Sequence, residues 1–529
     1  MAYYKNVRDY LQVLEEAGKL LRIKQPINKD TEMHPLVRLQ YRGLPEEQRK
    51  AFLFEKVYDS QGRNFDIPVA VACYAGSLDI YALGMQCKKE EIFNKWTRAQ
   101  SQPIEPVEVA SGPCQERVIV GDELRRAGLD LLPVPISTPG FDNGPYTTSS
   151  HFVTRDAETG QFNMGNYRGQ VKAPDRIGCF AGNFAGLRMH WNKCRSRKQP
   201  LEVAIVIGVP PNLSYAAVAR VPLETSEYAV AGGISGEPVE LVRCKTVNLL
   251  VPSQSEIVIE GTMPTDESEW EGPFGEFPGY MAHEGLGFFV NVSCIAMRKN
   301  PIYVAFLSQF PPSESSKIRG VATEGVAWQR LLDAGLDNVL DVATLESGGS
   351  WGYLVVKTKK RSDEDFDKII SALRMGADVG KILVVVDEDI DARDPDSVNW
   401  AISFRMQPHR DVKIVDSGTM GLDPSVVPPE EWEGARGAIV KKGRSSVLCI
   451  DATRPWPYKP TSLPKREFME KALELWKRLE LPPLHLKSPW HGYELGHWSE
   501  RNREEAELGL QGKHFEIGKR AARERKRLD

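Results

Sequence analysis

The chain has 529 residues, which is long enough for roughly three domains of about 150 residues, each with its own core. Hydrophobic residues make up 41% and charged residues 26% of the chain, which is ordinary for a globular protein, and a net charge of −4 carries no signature of polyanion binding. We therefore expect an enzyme-sized protein that binds no nucleic acid.

The eight cysteines show neither a C-x-x-C pair nor a regular spacing, which favours free thiols in a reducing compartment over a disulfide framework or a zinc ribbon. The first residues lack the apolar core of a signal peptide, and no run approaches the about 18 apolar residues of a membrane span. We predict a cytoplasmic protein with no membrane partner.

The chain begins with the pattern of a helix followed by a strand. Apolar residues at 7, 10, 11 and 14 have helical spacing, Gly18 stands where a helix C′ glycine belongs, and residues 20–23 have a strand pattern. Candidate strands follow at 52–54 and 68–72. These signals predict a first α/β domain.

The middle of the chain has short strand patterns separated by turn signals, with fewer helices. This arrangement favours a barrel-like sheet over βαβ winding. A helix is predicted at its exit, over residues 324–332. The candidate strands are residues 204–208, 247–251, 256–260, 288–292 and 302–306.

The alternation changes after about residue 335. A strand pattern at 353–356 is followed by a helical pattern from Ser362 to Gly376 and by an apolar strand at 382–386, which predicts a βαβ unit. Residues 395–398 start another helix.

Helical patterns continue to the end of the chain. The stretch 468–479 is amphipathic, and residues 519–527 form a basic run. Such a run is usually a solvated face, with anion binding or subunit contact as the alternative.

Residues 269–280 form the most informative loop. Its three glycines and two prolines exclude a regular helix, so we predict a stiff loop that holds Glu271 and Glu276 apart among aromatic residues. A carboxylic acid beside such rings loses hydration, which raises its pKa toward a value useful for proton transfer. The alternative is a surface turn whose glutamates face water.

Three further positions stand out. Gly165 permits a turn that aims Asn163 and Arg168 at one point, where Arg168 would be a fixed cation for a carboxylate or phosphate or one half of a structural ion pair. His190, beside an indole, is either functional or an ordinary core or surface histidine. Glu227 is a lone acid entering an apolar segment, with a charge in a first helical turn as the alternative.

Together with residues 391–394 and 450–456, these segments resemble the UbiD family of reversible (de)carboxylases that use prenylated FMN. The resemblance covers most of the chain. It implies a mixed α/β fold, with a flavin-reductase-like split β-barrel between two α/β domains. The predicted segments are an N-terminal α/β domain (1–112), a split-barrel cofactor-binding domain (113–330), a C-terminal α/β domain (331–460) and a helical extension (461–529).

The resemblance also implies the site residues. Asn163, His190 and Glu227 fall on the positions that hold a divalent metal and, through it, the cofactor phosphate. An amide, an imidazole and a carboxylate favour Mn²⁺, with Mg²⁺ or Fe²⁺ as alternatives, and the resemblance also allows K⁺. Arg168, Glu271 and Glu276 fall on the catalytic positions, with Glu276 as the proton donor.

Further cofactor contacts are implied at Met164, Tyr167 and Met189, in addition to Arg168 and the metal set. The chain departs from the family at one position, because Val447 stands where relatives often carry a lysine that contacts the phosphate. Arg444 or Lys442 would substitute for it.

The implied reaction is reversible, non-oxidative decarboxylation of an aromatic or α,β-unsaturated acid. Loss of CO₂ from an sp² carbon leaves a carbanion with no internal electron sink, so a modified flavin takes the electrons and an acid then supplies a proton. The alternatives are a carboxylase and a cofactor-free scaffold subunit. A flavin prenyltransferase would supply the cofactor, and a homodimer or homohexamer is expected.

The substrate is left open between a free acid and an aryl-CoA carboxylic acid. Basic residues at 441–444 and 519–527 would attract the phosphates of coenzyme A if they lie near the pocket mouth. The alternative is solvated charge that serves solubility or subunit contact.

Overall fold

The computed structural model describes residues 2–182, 185–219, 221, 225–282, 284–418, 422–426, 428 and 444–527. Within these ranges, no helix is both long enough and apolar enough to cross a membrane.

The helices and strands are numbered in chain order. The first part of the chain contains α1 (Val7–Glu16), β1 (Leu20–Ile23), β2 (Ile27–Asn28), α2 (Met33–Gly43), β3 (Ala51–Phe54), β4 (Val57–Tyr58), β5 (Asn64–Phe65), β6 (Val69–Val71), α3 (Leu78–Met85), α4 (Ile92–Ser101) and β7 (Val107–Val109). The middle contains β8 (Arg117–Ile119), α5 (Gly121–Arg126), β9 (Tyr146–Thr147), β10 (His151–Arg155), β11 (Phe162–Asn166), β12 (Gly169–Ala173), β13 (Arg176–Cys179), α6 (Gly186–Ser196), β14 (Leu201–Ile207), α7 (Pro211–Val218), α8 (Glu227–Ser235), β15 (Glu240–Arg243), β16 (Leu250–Pro252), β17 (Ile257–Met263), β18 (Glu269–Glu271), β19 (Phe274–Gly275), β20 (Met281–Ala282), β21 (Gly285–Met297) and β22 (Tyr303–Ala305). The last part contains α9 (Glu314–Asp333), β23 (Val339–Thr344), β24 (Tyr353–Thr358), α10 (Asp365–Ala372), β25 (Ile382–Asp387), α11 (Pro395–Arg405), α12 (Pro408–Asp411), β26 (Val412–Ser417), β27 (Ser445–Ala452), α13 (Arg466–Arg478), α14 (Glu500–Leu510) and α15 (His514–Arg523).

The N-terminal helix and strand form as predicted. Asn6 caps α1, since its side chain accepts hydrogen bonds from the backbone N–H groups of Arg8 and Asp9. The apolar face of α1 is buried, and Gly18, with φ +68°, turns the chain into β1. Strands β1, β3, β6 and β22 then form one sheet in that order.

One predicted strand of the middle domain belongs elsewhere. Residues 302–306 contain β22, which pairs in parallel with β6 and so completes the N-terminal sheet. Similarly, β16, near the predicted strand at 247–251, joins a separate small sheet with β15 and β7. The strand patterns predicted extended structure correctly, but strand pairing depends on contacts between distant parts of the chain.

The large central sheet carries the candidate site. It has ten strands, and its main path runs β11-β10-β14-β17-β21-β13-β12-β9, with β8 and β18 also paired to β21. Neighbouring strands along this path are antiparallel. Within the described residues the sheet does not close into a barrel, so the finer prediction of a split barrel stays a prediction.

The last sheet has the order β23-β24-β25-β27-β26. The predicted βαβ unit is confirmed, because β24 and β25 are parallel and α10 connects them. Helix α9 begins ten residues before its predicted start, because Ser313 caps it by accepting a hydrogen bond from the backbone N–H of Ser316. Helices α13, α14 and α15 have no buried residue.

Candidate active site

Arg168 lies between two glutamates from the loop at 269–280. It follows β11, Glu271 ends β18, and Glu276 follows β19. Nε and Nη2 of Arg168 donate to the two carboxylate oxygens of Glu271 at 2.8 and 2.6 Å, and Nη1 donates to Oε1 of Glu276 at 2.7 Å. The structure thus brings the three predicted catalytic residues together, with both acids on one guanidinium.

This group is withdrawn from solvent. Arg168 is 8% exposed and Glu271 is 2% exposed, while the side chain of Glu276 is 14% exposed. The rings of Phe180 and Phe274 lie 4.9 and 5.4 Å from the guanidinium carbon. Burial opposes the charge of Arg168, but the two glutamates outweigh it and raise the pKa of Arg168.

The aromatic residues of the loop divide into two classes. Phe274 and Phe277 are 2% exposed, whereas Trp270 and Tyr280 are 64% and 66% exposed. The burial expected of the aromatic residues thus holds for Phe274 and Phe277 and not for Trp270 and Tyr280; on β18, Trp270 alternates with the buried Glu271 and so faces the opposite side.

Hydrogen bonds within the loop and to residues 143–146 fix its shape. Strands β19 and β20 pair as a short hairpin, and the backbone N–H of Glu276 donates to the carbonyl of Tyr280 at 3.0 Å. Asn143 donates from Nδ2 to the carbonyl of Gly272 at 2.7 Å, and the Tyr146 hydroxyl accepts from the N–H of Gly272 at 3.2 Å. The glutamates are consequently held by backbone contacts as well as by Arg168.

Asp142 provides a further support for this loop. One carboxylate oxygen accepts from the N–H of Gly275 at 3.2 Å, and the other accepts from the N–H of Thr138 at 2.6 Å. Burial raises the pKa of Asp142 to about 6, although these N–H groups and Arg168 act in the opposite direction.

Asn163, His190 and Glu227 form a second group on neighbouring elements. Glu227, at the start of α8, accepts a hydrogen bond from the backbone N–H of Met164 at 2.9 Å, one residue from Asn163. His190, on α6, contacts Thr154 through Nδ1 at 2.9 Å, and Thr154 is the cross-strand partner of Asn163. The described contacts thus assign Asn163 and Arg168 to two separate groups, rather than to the single point that the turn at Gly165 predicts.

His190 is oriented by polar groups on both sides. Its Nε2 lies 3.8 Å from Asp156, which is also bound by Lys193 at 2.7 Å. Burial lowers the pKa of His190, with Lys193 acting in the same direction and Asp156 against it. The imidazole is accordingly neutral near pH 7, which is the form that binds a metal ion.

The residues of the second group fit a cation. Glu227 is buried, burial raises its pKa to about 7, and it has no cationic partner among the described contacts. The amide of Asn163 would offer its oxygen, Oδ1, to such a cation. A Cβ atom at Gly186 would lie 1.8 Å from Oδ1 of Asn163, so only glycine leaves room for this amide.

The fit rests on one amide, one imidazole and one carboxylate. No cluster of three or more His, Cys, Asp or Glu side chains with metal-binding geometry occurs in the described residues. The identity of the divalent ion and the K⁺ ion both stay predictions.

The remaining predicted cofactor residues lie in different places. Met164 is buried on β11, Tyr167 packs edge-on against Phe152, and Met189 lies on α6. Arg444 has an 86% exposed side chain that pairs with Asp416, and no described contact joins it to the other site residues. Its phosphate contact stays a prediction.

The two predicted basic segments, residues 441–444 and 519–527, lie in different parts of the chain. Lys442 and the rest of residues 441–443 lie outside the described residues. Residues 519–527 are exposed, on and after α15. The polyanion-binding role of both segments remains untested.

Sequence reasoning missed Asp142, Asn143 and Tyr146. Asp and Asn before a Gly-Pro pair are typical of a turn, so their residue types gave no sign of a functional contact. All three act on backbone groups of the loop, which leave no trace in a sequence pattern.

The mixed α/β fold holds a buried pair of acids on Arg168, an arrangement that suits an enzyme active site. Models of three 3-octaprenyl-4-hydroxybenzoate carboxy-lyase domains match in order: the N-terminal domain at residues 11–100, the Rift-related domain at 105–310 and the C-terminal domain at 318–452. The chain belongs to the UbiD family and is a UbiD-class carboxy-lyase. The domain boundaries predicted at 112, 330 and 460 stay predictions.

Relatives match along most of their length. An uncharacterized protein from Archaeoglobus fulgidus is 30% identical over 487 residues, which are 86% of this chain and 92% of that protein. The UbiD-class enzyme HmfF from Pelotomaculum thermopropionicum, solved with FMN, is 30% identical with a TM-score of 0.74, over 86% of this chain and 95% of that chain. An evolved dimeric form of HmfF, solved with prFMN, is 28% identical with a TM-score of 0.73, over 87% and 97%. Vanillic acid decarboxylase from Sedimentibacter hydroxybenzoicus is 28% identical with a TM-score of 0.75, over 90% and 100%.

Proposed function

We propose that this protein catalyses non-oxidative decarboxylation of an aromatic or α,β-unsaturated carboxylic acid with prenylated FMN. The observation that carries the proposal is the Arg168 group, in which one arginine binds a fully buried glutamate and a second, more accessible one. Similarity to HmfF, solved with FMN and prFMN, supports the choice of cofactor.

Glu276 is the proton donor in this proposal. Its side chain is more exposed than that of Glu271, and it uses only Oε1 in the described hydrogen bonds. Oε2 is therefore available to carry a proton to the substrate carbon once CO₂ has left. Glu271 is bound through both oxygens to Arg168 and serves to hold and orient the guanidinium.

Asn163, His190 and Glu227 would hold the metal ion, and through it the cofactor phosphate. A divalent cation would neutralise the buried carboxylate of Glu227 and accept the amide oxygen of Asn163 as a ligand. The flavin supplies the electron sink that an sp² carbanion lacks.

The test begins with anaerobic purification after co-expression with a flavin prenyltransferase. The loaded protein should absorb in the near-UV and visible range and release CO₂ from members of a panel of aromatic and unsaturated acids. A colourless protein that releases no CO₂ would overturn the proposal and favour the scaffold alternative.

The role of Glu276 is tested by Glu276→Gln. We expect bound cofactor and metal to be retained and turnover to fall by about 10²–10⁴-fold, because an amide cannot give a proton to carbon. Glu269→Gln is the matched control, since Glu269 pairs with Lys172 and Arg176 instead of Arg168. Turnover near the wild-type rate in Glu276→Gln would remove Glu276 from this role.

The shared metal and cofactor site is tested by His190→Ala and Glu227→Ala. Both variants should lose metal and flavin together, as measured by elemental analysis and by absorbance of the released flavin. Full flavin occupancy without metal would contradict the shared site.

A further inference from the structure

One supporting segment, residues 138–146, holds the backbone between the two glutamates of the candidate active site. The Tyr146 hydroxyl accepts a hydrogen bond from the N–H of Gly272 at 3.2 Å and donates one to the carbonyl of Pro273 at 3.3 Å. Gly272 directly follows Glu271 in the chain. Tyr146 therefore fixes the backbone at the point where it leaves the first of the two acids.

Asp142 fixes the backbone next to Glu276. Its carboxylate accepts from the N–H of Gly275, the residue before Glu276, at 3.2 Å, and from the N–H of Thr138 in the supporting segment at 2.6 Å. Gly275 also packs directly on this segment, because a Cβ atom there would lie 2.4 Å from Oγ1 of Thr138. The backbone thus enters Glu276 from a fixed point.

The groups between these two contacts are packed away from water. Gly272 and Gly275 are buried, and Phe274 is buried with its ring 4.6 Å from the ring of Tyr146. A buried N–H group that loses its partner carries the full cost of its desolvation. The hydrogen bonds to the supporting segment are therefore costly to break.

The supporting segment also belongs to the frame that positions Arg168. Its last residue, Tyr146, lies on β9 and is the cross-strand partner of Gln170 on β12, which begins directly after Arg168. The side chain of Gln170 donates to Oδ1 of Asn143 at 2.6 Å, which joins the same strand to the segment a second time. One frame of backbone pairs and hydrogen bonds therefore places both the guanidinium and the loop that carries its acids.

We propose that Asp142 and Tyr146 are positioning residues, which set the distance and direction of Glu276 relative to Arg168 and so relative to the reacting carbon. The inference rests on the proposed function, in which Glu276 gives a proton to that carbon. Neither residue has to touch the substrate, because a displacement of the reacting groups by about 1 Å can cost about 10²-fold in rate.

Turnover of the cofactor-loaded protein tests the inference with Asp142→Asn and Tyr146→Phe, on the acid of the panel that the wild type turns over fastest. Asparagine replaces one acceptor oxygen by a donor group, and phenylalanine removes only the hydroxyl. We expect kcat per bound flavin to fall about tenfold to a hundredfold, with KM within about threefold and flavin occupancy unchanged. An unchanged kcat in either variant would overturn the role assigned to that residue.

Two control variants separate positioning from a general loss of stability. Tyr10→Phe removes a buried hydroxyl that donates to a backbone carbonyl, and Asp59→Asn alters a buried carboxylate that accepts from two backbone N–H groups. Both controls should keep kcat per bound flavin within about twofold, even where urea unfolding shows that they are less stable. A fall in the controls as large as in Asp142→Asn and Tyr146→Phe would contradict a positioning role.

A double-mutant cycle shows whether the effect of Asp142 passes through Glu276. In a protein that already carries Glu276→Gln, adding Asp142→Asn should lower the remaining turnover by less than about threefold, because the side chain at position 276 no longer gives a proton. A further loss as large as in the wild-type background would assign Asp142 a general structural role and refute the inference.

The same assays separate this inference from the proposed function. Release of CO₂ that falls in Glu276→Gln but not in Asp142→Asn or Tyr146→Phe would remove the positioning role and leave the proposed function standing. Absence of CO₂ release by the wild type from every acid of the panel would overturn the proposed function, and the positioning role with it.

Discussion

Arg168 is the side chain on which the candidate active site depends. It is buried, and all three of its described hydrogen bonds go to the carboxylates of Glu271 and Glu276. A buried charge is tolerated only when it is paired, so the three residues behave as one unit. Substitution of one member must therefore affect the remaining two.

Removal of the arginine alone should destabilise the protein strongly. Arg168→Met leaves Glu271 buried without its partner, and breaking a buried pair in this way costs about 3–5 kcal/mol of unfolding free energy. The double variant Arg168→Met with Glu271→Met should recover much of this loss. Urea unfolding measures both, with exposed Arg361→Met as the control. A loss below about 1 kcal/mol in Arg168→Met, the value typical of a surface pair, would contradict a buried unit.

Asp142 should give the stability a dependence on pH. Because the pKa of folded Asp142 is about 6, above the about 3.9 of an unfolded aspartate, the folded chain holds a proton that the unfolded chain has lost between those values. This contribution to stability is complete below about pH 4 and is lost as the pH rises through about 6.

Asp142→Asn lacks this proton. The unfolding free energy of the wild type relative to Asp142→Asn should therefore fall between about pH 4 and pH 6. Chemical unfolding at several pH values measures the difference, and Asp122→Asn, at an exposed position beside Arg125, is the control. A difference that rises with pH would contradict the direction of the shift.

The sequence predicted some of the site residues and missed others. Arg168, Glu271 and Glu276 were named together through the resemblance, and the structure brings them together. Asp142 was not named, because its partners are the N–H groups of Thr138 and Gly275. Every residue except proline has such a group, so sequence gives no preference for this contact.

Helix α6 positions side chains of the group formed by Asn163, His190 and Glu227. Its first residue is Gly186, and the space left by the absent side chain is filled by the amide of Asn163. His190 lies one turn further along the same helix. The packing of α6 against β11 therefore positions two of the three predicted metal ligands.

A single methyl group at this contact should disturb the site. In Gly186→Ala the new Cβ would lie 1.8 Å from Oδ1 of Asn163, so the amide must move. We expect metal and flavin content to fall at least several-fold while the chain stays folded, as measured by elemental analysis and absorbance. Gly182→Ala is the matched control, because no atom of the described residues lies within 4 Å of the Cβ it would add. Equal cofactor content in both variants would refute the role of this contact.

Element type was more predictable than element pairing. Helix α1, the βαβ unit of β24, α10 and β25, and the start of α11 all follow local patterns of apolar residues and caps. The prediction wrongly placed the strand at 302–306 in the middle domain, whereas β22 joins the N-terminal sheet, because a three-residue strand carries no information on its partner. The hairpin of β19 and β20 was described only as a stiff loop, since two-residue strands fall below what periodicity can detect.

At the scale of the whole molecule, the C-terminal helices stand apart from the core. Helices α14 and α15 have no buried residue, and they expose two large hydrophobic side chains, Leu510 and Phe515. Helices this short are marginal in water when isolated, which favours contact with another subunit. The expected homodimer or homohexamer stays a prediction.

Removal of this segment should therefore change assembly more than folding. A chain that ends at residue 498 loses α14 and α15 but keeps Lys487 and its ion pair with Asp394. We expect a melting temperature within a few degrees of the full chain. Light scattering should show a smaller oligomer than for the full chain. The full-length variant Leu510→Asp with Phe515→Asp should behave in the same way. Unchanged mass in both variants would exclude this segment from the subunit contact.

The pairing of β22 with β6 joins two strands that lie far apart in the chain and are therefore synthesised at different times. A ribosome releases β1, β3 and β6 long before it reaches β22, so the nascent N-terminal sheet exposes an unpaired edge during synthesis. The same region also lacks Glu314 at that stage, whose buried carboxylate accepts hydrogen bonds from the backbone N–H groups of Ala72 and Tyr74 in the folded protein. The N-terminal sheet therefore cannot be completed until residues more than 200 positions later have been synthesised. Production in another host should benefit from slow synthesis or from chaperones that shield this edge.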